Sequence, residues 1–316
     1  RKHPELQLDP GNEWDNGFDY SKPEIRKRML DFIKEVLARY DTDGLELDLM
    51  RFTRYLPKGR ESEYAPVFTD FVRDVRKALD ASAAKRGHAI ALSVRVMAYP
   101  ENSQERGLQV DVWAKEGLVD WVAPCNFWAT TDFALPYSEW KRLLAAANPK
   151  VRLVGAFDFA GVARENQWGP QGVTEAEFAG YLERMHAAGV TDFEAFNRFL
   201  YSETPVNRLV QIDGLRDGEK WARTRERAYA VTYHDAVPSG YSEDQRLPFR
   251  FDQSRELVIS VGRIGAASTV ALLLAFEGPV PADLAKAVSL NGVRPVSITE
   301  TKPADWMPNI RKVTHS

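Results

Sequence analysis

The sequence predicts an α/β fold: a (β/α)8 TIM-type barrel that lacks its first three strands, followed by a small antiparallel β-sandwich. Short apolar runs alternate with amphipathic segments between residues 21 and 190, a pattern typical of a parallel sheet covered by helices. None of the predicted strands is followed by a glycine-rich phosphate-binding turn. A doubly wound dinucleotide-binding sheet is therefore disfavoured relative to a barrel.

The predicted barrel elements begin with a helix at Pro23, because Ser21, Pro23 and Glu24 form a helix-capping sequence. Further helices are predicted over residues 64–86, 104–116, 137–147 and 174–188. The strands after each helix are "GLELDLMRF", "AIALSVRVMA", "LVDWVAPCNFW", "VRLVGAFDF" and "TDFEAFN". Since such a barrel needs eight strands, we expect the first three to come from sequence outside this chain, from self-association, or from a complementing fragment.

The character of the sequence changes after Asn197. Short β-type runs follow from Ala228 onward, and Asn291-Gly292 predicts a two-residue hairpin turn. We therefore expect two domains, with residues 1–215 as the C-terminal part of a catalytic barrel and 216–316 as a β-sandwich accessory domain. The residues from Lys302 are predicted to form a loose tail.

Composition argues against several classes of partner. The 42 basic and 45 acidic residues give a formal net charge of −3, and no basic face or polybasic run predicts nucleic-acid or membrane binding. There is no apolar run of about 18 residues and no signal-like start. Cys125 is the single cysteine and the five histidines are scattered, so neither a disulfide framework nor a metal site is expected.

Candidate catalytic groups follow from the alternation of side chains along a strand. Glu46 and Asp48 lie on the face opposite the leucines and should point into the barrel, and Asp48 is nearer the C-terminal strand end, where barrel active sites lie. Asp158 and Glu194 come near the ends of later strands. Paired carboxylates suit cleavage of a glycosidic bond. Asp48 is therefore the main candidate, with Glu46, Asp158 or Glu194 as its partner, although any of these acids could instead be the structural partner of an arginine.

Further residues are candidates for contact with the sugar. Arg95 is predicted to point inward and to pair with Asp48 or Glu46, and tryptophan rings can stack on sugar faces, although each tryptophan is individually more often a packing residue. No cofactor is expected, since a proton donor and a carboxylate suffice. The predicted substrate-binding residues are Arg51, Arg95, Asn126, Trp128, Asn197, Trp14 and Trp168.

The stretch "DGLELDLMRF", preceded by "DYSKPEIRKRMLDFIKEVLARYD", resembles a family of bacterial glycosyl-hydrolase-like barrels. In that family a helix that starts with proline and glutamate, here Pro23 to Arg26, precedes a fourth strand of the form D-G-[IL]-x-[LF]-D. The corresponding residues here are Asp43, Gly44 and Asp48. The segments "DFEAFN" and "YAVTYHD…LPFRF" are similar to the last strand and the appended β-sandwich of such proteins.

The resemblance implies a glycoside hydrolase acting on a poly- or oligosaccharide, with Asp48 at the acidic position of the fourth strand and a secreted or periplasmic location. Some relatives carry a second consecutive aspartate where this chain has Leu49, so the partner of Asp48 stays open. The alternative is a non-catalytic glycan-binding or scaffold protein built on a degenerate barrel. A polysaccharide lyase would need a tyrosine–histidine pair at the strand ends, which the sequence does not indicate.

Overall fold

A computed structural model describes most of the N-terminal two thirds of the chain and parts of the remainder. The described residues are 3–9, 17–50, 53–125, 133, 135–158, 175–196, 226–229, 254, 256–259, 261–265, 270–275, 282–295, 297–300 and 310–315. The chain forms two compact units, one of Arg1–Arg164 with Gln171–Val261 and the other of Glu165–Pro170 with Gly262–Ser316. The domain boundary predicted after residue 215 stays a prediction.

The first unit alternates helices with five parallel strands, as the sequence predicts. Its elements are α1 (Pro23–Arg39), β1 (Gly44–Asp48), α2 (Glu61–Arg86), β2 (Ala91–Met97), α3 (Pro100–Glu105), α4 (Val110–Lys115), β3 (Trp121–Cys125), α5 (Tyr137–Ala147), β4 (Arg152–Asp158), α6 (Glu175–Ala187) and β5 (Asp192–Phe196). The single helix predicted over 104–116 is instead two short helices, because Gly107, at φ 76°, turns the chain between them.

The start of α1 differs in detail from its predicted cap. Pro23 does begin the helix, but the N-cap residue is Lys22, and no side chain caps the helix. The Ser21 N–H instead donates a hydrogen bond to Asp19 Oδ1 at 2.9 Å. The capping-box prediction is therefore wrong, while the position of proline in the first turn is confirmed.

The strands form one sheet in the order β1-β2-β3-β4-β5, with every neighbouring pair parallel. Side chains on one face of this sheet pack under the helices in a continuous apolar core. Fully buried members from strands and helices include Leu92, Val94, Val122, Phe68 and Trp113. Burial of this face leaves the alternate residues of each strand on the other, concave face of the sheet.

The sheet is strongly curled, and this curl brings together side chains of strands that are not neighbours, such as Arg95 on β2 and Glu194 on β5, whose Nε and Oε1 lie 3.0 Å apart. Glu46 on β1 and Glu194 on β5 lie within side-chain hydrogen-bonding reach. We followed the residue pairing from Glu194 on β5 across the sheet to β1, extending the β3–β4 and β1–β2 registers beyond their last bonded pairs. This path ends at Met50, which is four residues beyond Glu46 in the chain. Four strand steps thus accumulate a stagger of four residues, about one per strand, as in tilted barrel strands.

The prediction of a (β/α)8 barrel is nevertheless wrong for this chain. The described residues form a five-stranded parallel sheet whose edges are β1 and β5, and this sheet covers part of a barrel without closing one. A repeating β/α pattern determines the local units and the parallel direction of the strands. Closure depends on the number of strands, which a local pattern does not determine.

The second unit contains a three-stranded antiparallel sheet rather than the predicted β-sandwich. Its elements are β6 (Val270–Ala275), α7 (Leu284–Ala287), β7 (Ser297–Glu300) and β8 (Ile310–His315), and the strand order is β6-β8-β7. The described part of this unit has no second sheet to pack against the first. The predicted loose tail is also corrected, because β8 pairs with both other strands of this sheet.

The hairpin turn predicted at Asn291-Gly292 is confirmed. Both residues have positive φ angles, 51° and 80°, which a type I′ turn requires. Leu290 and Val293 on either side exchange backbone hydrogen bonds of 2.8 and 2.9 Å. Among the described residues of the whole chain, no helix is both long and apolar enough to span a membrane.

Candidate active site

Two acids of β1 lie on the concave face of the curled sheet. Leu45 and Leu47 pack against the core under the helices, so the intervening Glu46 and Asp48 point the other way. Asp48 Oδ1 accepts a hydrogen bond of 2.9 Å from the backbone N–H of Met50. This bond holds the Asp48 carboxylate at the C-terminal end of the strand, where 36% of its side chain is exposed.

Arg95 on β2 connects the acids of the two edge strands. Its side chain is only 2% exposed, and its Nη1 lies 3.3 Å from Asp48 Oδ2 while its Nε lies 3.0 Å from Glu194 Oε1. The third nitrogen, Nη2, donates to Cys125 Sγ at 3.1 Å. The Phe196 ring lies 3.5 Å from the guanidinium carbon. One buried cation is thus shared by carboxylates from opposite edges of the sheet.

The contacts of Arg95 with the two acids are ion pairs by distance but not aligned hydrogen bonds. Neither Nε nor Nη1 has a hydrogen-bond partner with acceptable geometry among the described residues, although both atoms are buried. Alignment matters because the strength of a hydrogen bond falls steeply as its angle bends. We therefore assign to Arg95 mainly the supply of positive charge between the acids, rather than a rigid bidentate grip on either one.

The environment of Glu194 favours its protonated form. Burial raises the pKa of the Glu194 carboxyl to about 7 from an ordinary 4.5, and the neighbouring charges of Glu46 and Asp48, with a hydrogen bond to Glu46, add to this effect. Arg95 acts in the opposite direction. Burial and the like charges outweigh the arginine, so Glu194 holds its proton to a higher pH than an ordinary glutamate does.

Glu46 contacts both Glu194 and a hydroxyl group of the next strand. Ser93 Oγ donates a 2.9 Å hydrogen bond to Glu46 Oε2. Ser93 is directly opposite Glu46 in the β1–β2 register and is 8% exposed. Glu46 thus lies between the Ser93 hydroxyl and the Glu194 carboxyl, and its charge is one of the causes that raise the pKa of Glu194.

The rest of the described concave face is apolar. The residues that pack together there are Met50, Met97, Ala123, Cys125, Val154 and Ala156. Burial raises the pKa of the Cys125 thiol to about 12, so this cysteine stays protonated and does not serve as a nucleophile near neutral pH. An apolar surround strengthens the electrostatic interactions of the acids beside it.

The structure brings together four of the residues singled out in the sequence: Glu46, Asp48, Arg95 and Glu194. Asp158 ends β4, and its backbone is paired with that of Phe196. Ser93 and Phe196 are contacts that the list of predicted site residues missed. The inward parity of Ser93 was readable from the strand, but its partner was not. The remaining predicted residues lie outside the described ranges and are Arg51, Asn126, Trp128, Asn197, Trp14 and Trp168.

A metal centre and a cavity between helices are the two other kinds of site that a protein of this size can offer. Within the described ranges, no group of three histidine, cysteine or acidic side chains is arranged to hold a metal ion. A cavity of about 460 Å³ lies among α3, α4 and α5 and is lined by residues of those helices and their connections. Glu46, Asp48 and Glu194 do not line this cavity. We place the chemistry at these three acids because charges and proton-carrying groups converge there.

No family model matches the chain, and a search of curated proteins finds no significant match. The resemblance to glycosyl-hydrolase-like barrels therefore rests on the short motifs of α1, β1 and β5. The case for a function rests in turn on the geometry of the acids.

Proposed function

We propose that this protein is a glycoside hydrolase in which Glu194 is the general acid and Asp48 is the ionised carboxylate. The observation that supports the proposal is that two carboxyl groups contact one buried guanidinium yet have different environments. Glu194 is largely buried and beside another acid, while Asp48 is partly open to solvent. A buried acid that keeps its proton, beside a more exposed carboxylate, is what acid–carboxylate catalysis requires.

Glu194 suits protonation of the departing glycosidic oxygen. Its pKa of about 7 keeps a proton available near neutral pH, and a catalytic pKa close to the working pH gives the best compromise between proton content and proton-donating strength. Its side chain is 23% exposed, so a substrate oxygen can reach it. Positioned acid catalysis of this kind contributes about 10²- to 10⁴-fold in rate.

Asp48 suits the second role on the opposite side of the sugar ring. The Arg95 contact supplies a positive charge beside the Asp48 carboxylate, and its exposed edge can meet a sugar carbon or a water molecule. Because Asp48 and Glu194 contact the same guanidinium group, at 3.3 and 3.0 Å, their carboxyl groups are no further apart than the about 10 Å upper limit of glycosidase acid pairs. Direct attack and activation of water are both compatible with this spacing.

Arg95 has a supporting role in this proposal. Its buried side chain does not face solvent, so it serves the acids rather than the sugar, in contrast to the sugar-binding role expected from the sequence. The proposed reaction needs no redox chemistry, because the proton from Glu194 leaves with the sugar hydroxyl and is replaced from water.

The test uses aryl glycosides with two kinds of leaving group. Glu194→Gln should lose about 10²- to 10⁴-fold in kcat/KM on a glycoside with a poor, basic leaving group, and far less on an activated nitrophenyl glycoside that departs without protonation. Asp48→Asn should lose activity on both substrates. Glu63→Gln, on the exposed surface of α2, is the matched control. Equal losses by Glu194→Gln on both substrates would remove Glu194 from the acid role.

A non-catalytic glycan-binding protein is the second candidate, and one observation favours it. Asp48 is paired with a buried arginine, and a partner for an arginine is also the common structural use of an acid in such a sheet. Under this alternative the protein would bind an oligosaccharide without releasing product. Calorimetric binding together with chromatography of the incubated sugar separates the two candidates.

A further inference from the structure

We propose that Cys125 is a positioning residue for Arg95. Its sulfur accepts a hydrogen bond that, together with the Phe196 ring, keeps the guanidinium group from turning into an aligned hydrogen bond with Glu194. The orientation of Arg95 rests on contacts alone. Its catalytic consequence rests on the proposed function, in which Glu194 must keep a proton.

Two contacts define the orientation of the Arg95 guanidinium group. The Phe196 ring lies 3.5 Å from its central carbon and limits the tilt of this flat group. Nη2 donates to Cys125 Sγ at 3.1 Å. Because the N–H groups of an arginine are fixed relative to one another, this bond also defines the directions in which Nε and Nη1 donate. The Arg95 side chain is only 2% exposed, so its donors have little access to solvent.

Cys125 is in turn held in place by the backbone. Its partner in the β2–β3 register is Met97, two residues beyond Arg95 on the same face of the sheet. The sulfur therefore lies diagonally across from Arg95 on the adjacent strand. Cys125 is 4% exposed and packs within the apolar cluster of the concave face, so its short side chain has little room to move.

In this orientation Arg95 approaches Glu194 without a well-formed hydrogen bond. Arg95 Nε lies 3.0 Å from Glu194 Oε1, yet Nε has no partner of acceptable hydrogen-bond geometry in the described part of the chain. An aligned hydrogen bond to a carboxylate favours its ionised form, and bonds to ionised groups are among the strong ones. Without that bond, Glu194 is influenced by the charge of Arg95 alone. Burial outweighs this charge, and the pKa of Glu194 is about 7.

A thiol suits this role because it occupies a donor of Arg95 without adding charge. Burial raises the pKa of Cys125 to about 12, so the thiol is neutral near pH 7, and sulfur is a weak acceptor. The buried Tyr181 hydroxyl is also neutral, since its pKa is raised well above 10, and it donates to the Ala156 carbonyl oxygen at 2.8 Å. Cys125 therefore orients Arg95 and leaves its positive charge available to the acids. In the described ranges, the charged and titratable groups that face Glu194 from β1, β2, β3 and α6 are Glu46, Asp48, Arg95, Cys125 and Tyr181.

Loss of the sulfur should let Arg95 turn towards Glu194, the nearer of its two acids. In Cys125→Ala, Nη2 loses its acceptor, and a buried donor without a partner is costly, so we expect the guanidinium group to rotate until it donates to the carboxylate. An aligned hydrogen bond to Glu194 should lower its pKa by about one unit. Cys125→Ser keeps an acceptor at the same position and is the matched control. Val154→Ala removes apolar volume from the same cluster and controls for the cavity.

The experiment is carbon NMR titration of the full chain with carboxyl-labelled glutamate, with Glu194→Gln used to assign the Glu194 resonance. We expect the same Glu194 midpoint in the wild type, Cys125→Ser and Val154→Ala, and a midpoint about one pH unit lower in Cys125→Ala. Circular dichroism checks that each variant is folded. The wild-type midpoint in Cys125→Ala, or an equal shift in either control, would overturn the inference.

The same variants separate this inference from the proposed function. The fall of kcat/KM at high pH should move to lower pH by about one unit in Cys125→Ala and stay in place in Cys125→Ser. Absence of glycoside cleavage with the expected midpoints would overturn the proposed function alone. Cleavage with an unmoved Glu194 midpoint in Cys125→Ala would overturn the inference alone.

Discussion

Replacing Glu194 with glutamine should remove a pH-dependent loss of stability from the protein. The pKa of Glu194 in the folded protein, about 7, is above the ordinary value of 4.5, chiefly because of burial. Between these two values the folded protein holds a proton that the unfolded chain has released. The free energy of unfolding therefore falls as pH rises from about 4.5 to about 7, and this contribution is constant above that range.

The size of the effect follows from the difference between the two pKa values. A group with a pKa of about 7 in the folded protein and 4.5 in the unfolded chain contributes about 3 kcal/mol between the two limits. The Glu194 side chain is 23% exposed, and solvent screening reduces the contribution, so we expect on the order of 2 kcal/mol. That is a large fraction of the stability of a typical domain.

The assay is urea unfolding followed by tryptophan fluorescence at pH 5 and pH 8, in the wild type and Glu194→Gln. The glutamine variant also removes a partner of Arg95. The part of that loss that depends on the charge of Glu194 is already contained in its pKa, and the part that does not depend on charge cancels in the difference between the two pH values. Glu63→Gln is the control, because its carboxyl is exposed and a hydrogen bond with Arg60 lowers its pKa. The same change in stability between pH 5 and pH 8 in the wild type and Glu194→Gln would refute the burial argument.

Three further predictions test other parts of the structure. Arg95→Met should lower the free energy of unfolding by roughly 3 to 5 kcal/mol, because it leaves the acids without their buried cation, and Arg95→Lys should lower it less. A urea midpoint of Arg95→Met identical to that of the wild type would contradict this. A Cβ at Gly107 would lie 2.6 Å from a buried leucine methyl, whereas a Cβ at Gly117, also at positive φ, would meet nothing within 4 Å. Gly117→Ala should therefore cost only the backbone strain of about 1 kcal/mol, and Gly107→Ala should lower the melting temperature by clearly more than Gly117→Ala does. Hydrogen bonds that the His88 imidazole donates, first to the Asp41 carboxylate and second to the Ala89 carbonyl, raise the pKa of His88. Asp41→Asn should therefore move the imidazole NMR titration to lower pH, and an unmoved midpoint would count against the contact.

The elements of the first unit could be predicted because their signals are local. Alternation along β1 places Leu45 and Leu47 toward the helices and Glu46 and Asp48 toward the other face, and amphipathic spacing predicts the intervening helices. The β8 strand was missed because Ile310–His315 contains three basic residues among six, and its pairing between β6 and β7 becomes visible only in the folded sheet.

The partner of Asp48 could not be chosen from the sequence. Glu46, Asp158 and Glu194 were all compatible with strand parity, and the choice depends on the stagger that accumulates over four strand pairings. That stagger brings Glu194 on the last strand to Glu46 on the first. The raised pKa of Glu194 was likewise beyond sequence reasoning, because it depends on the degree of burial and on acids distant in the chain.

The most direct test of the account is product analysis of a panel of oligosaccharides and aryl glycosides incubated with the wild type and with Asp48→Asn. We predict that the wild type releases sugar from at least one member, with kcat/KM falling above about pH 7 as Glu194 loses its proton. Asp48→Asn should remain folded and release none. Cleavage by Asp48→Asn at the wild-type rate, or a wild type that cleaves no member of the panel, would contradict the account.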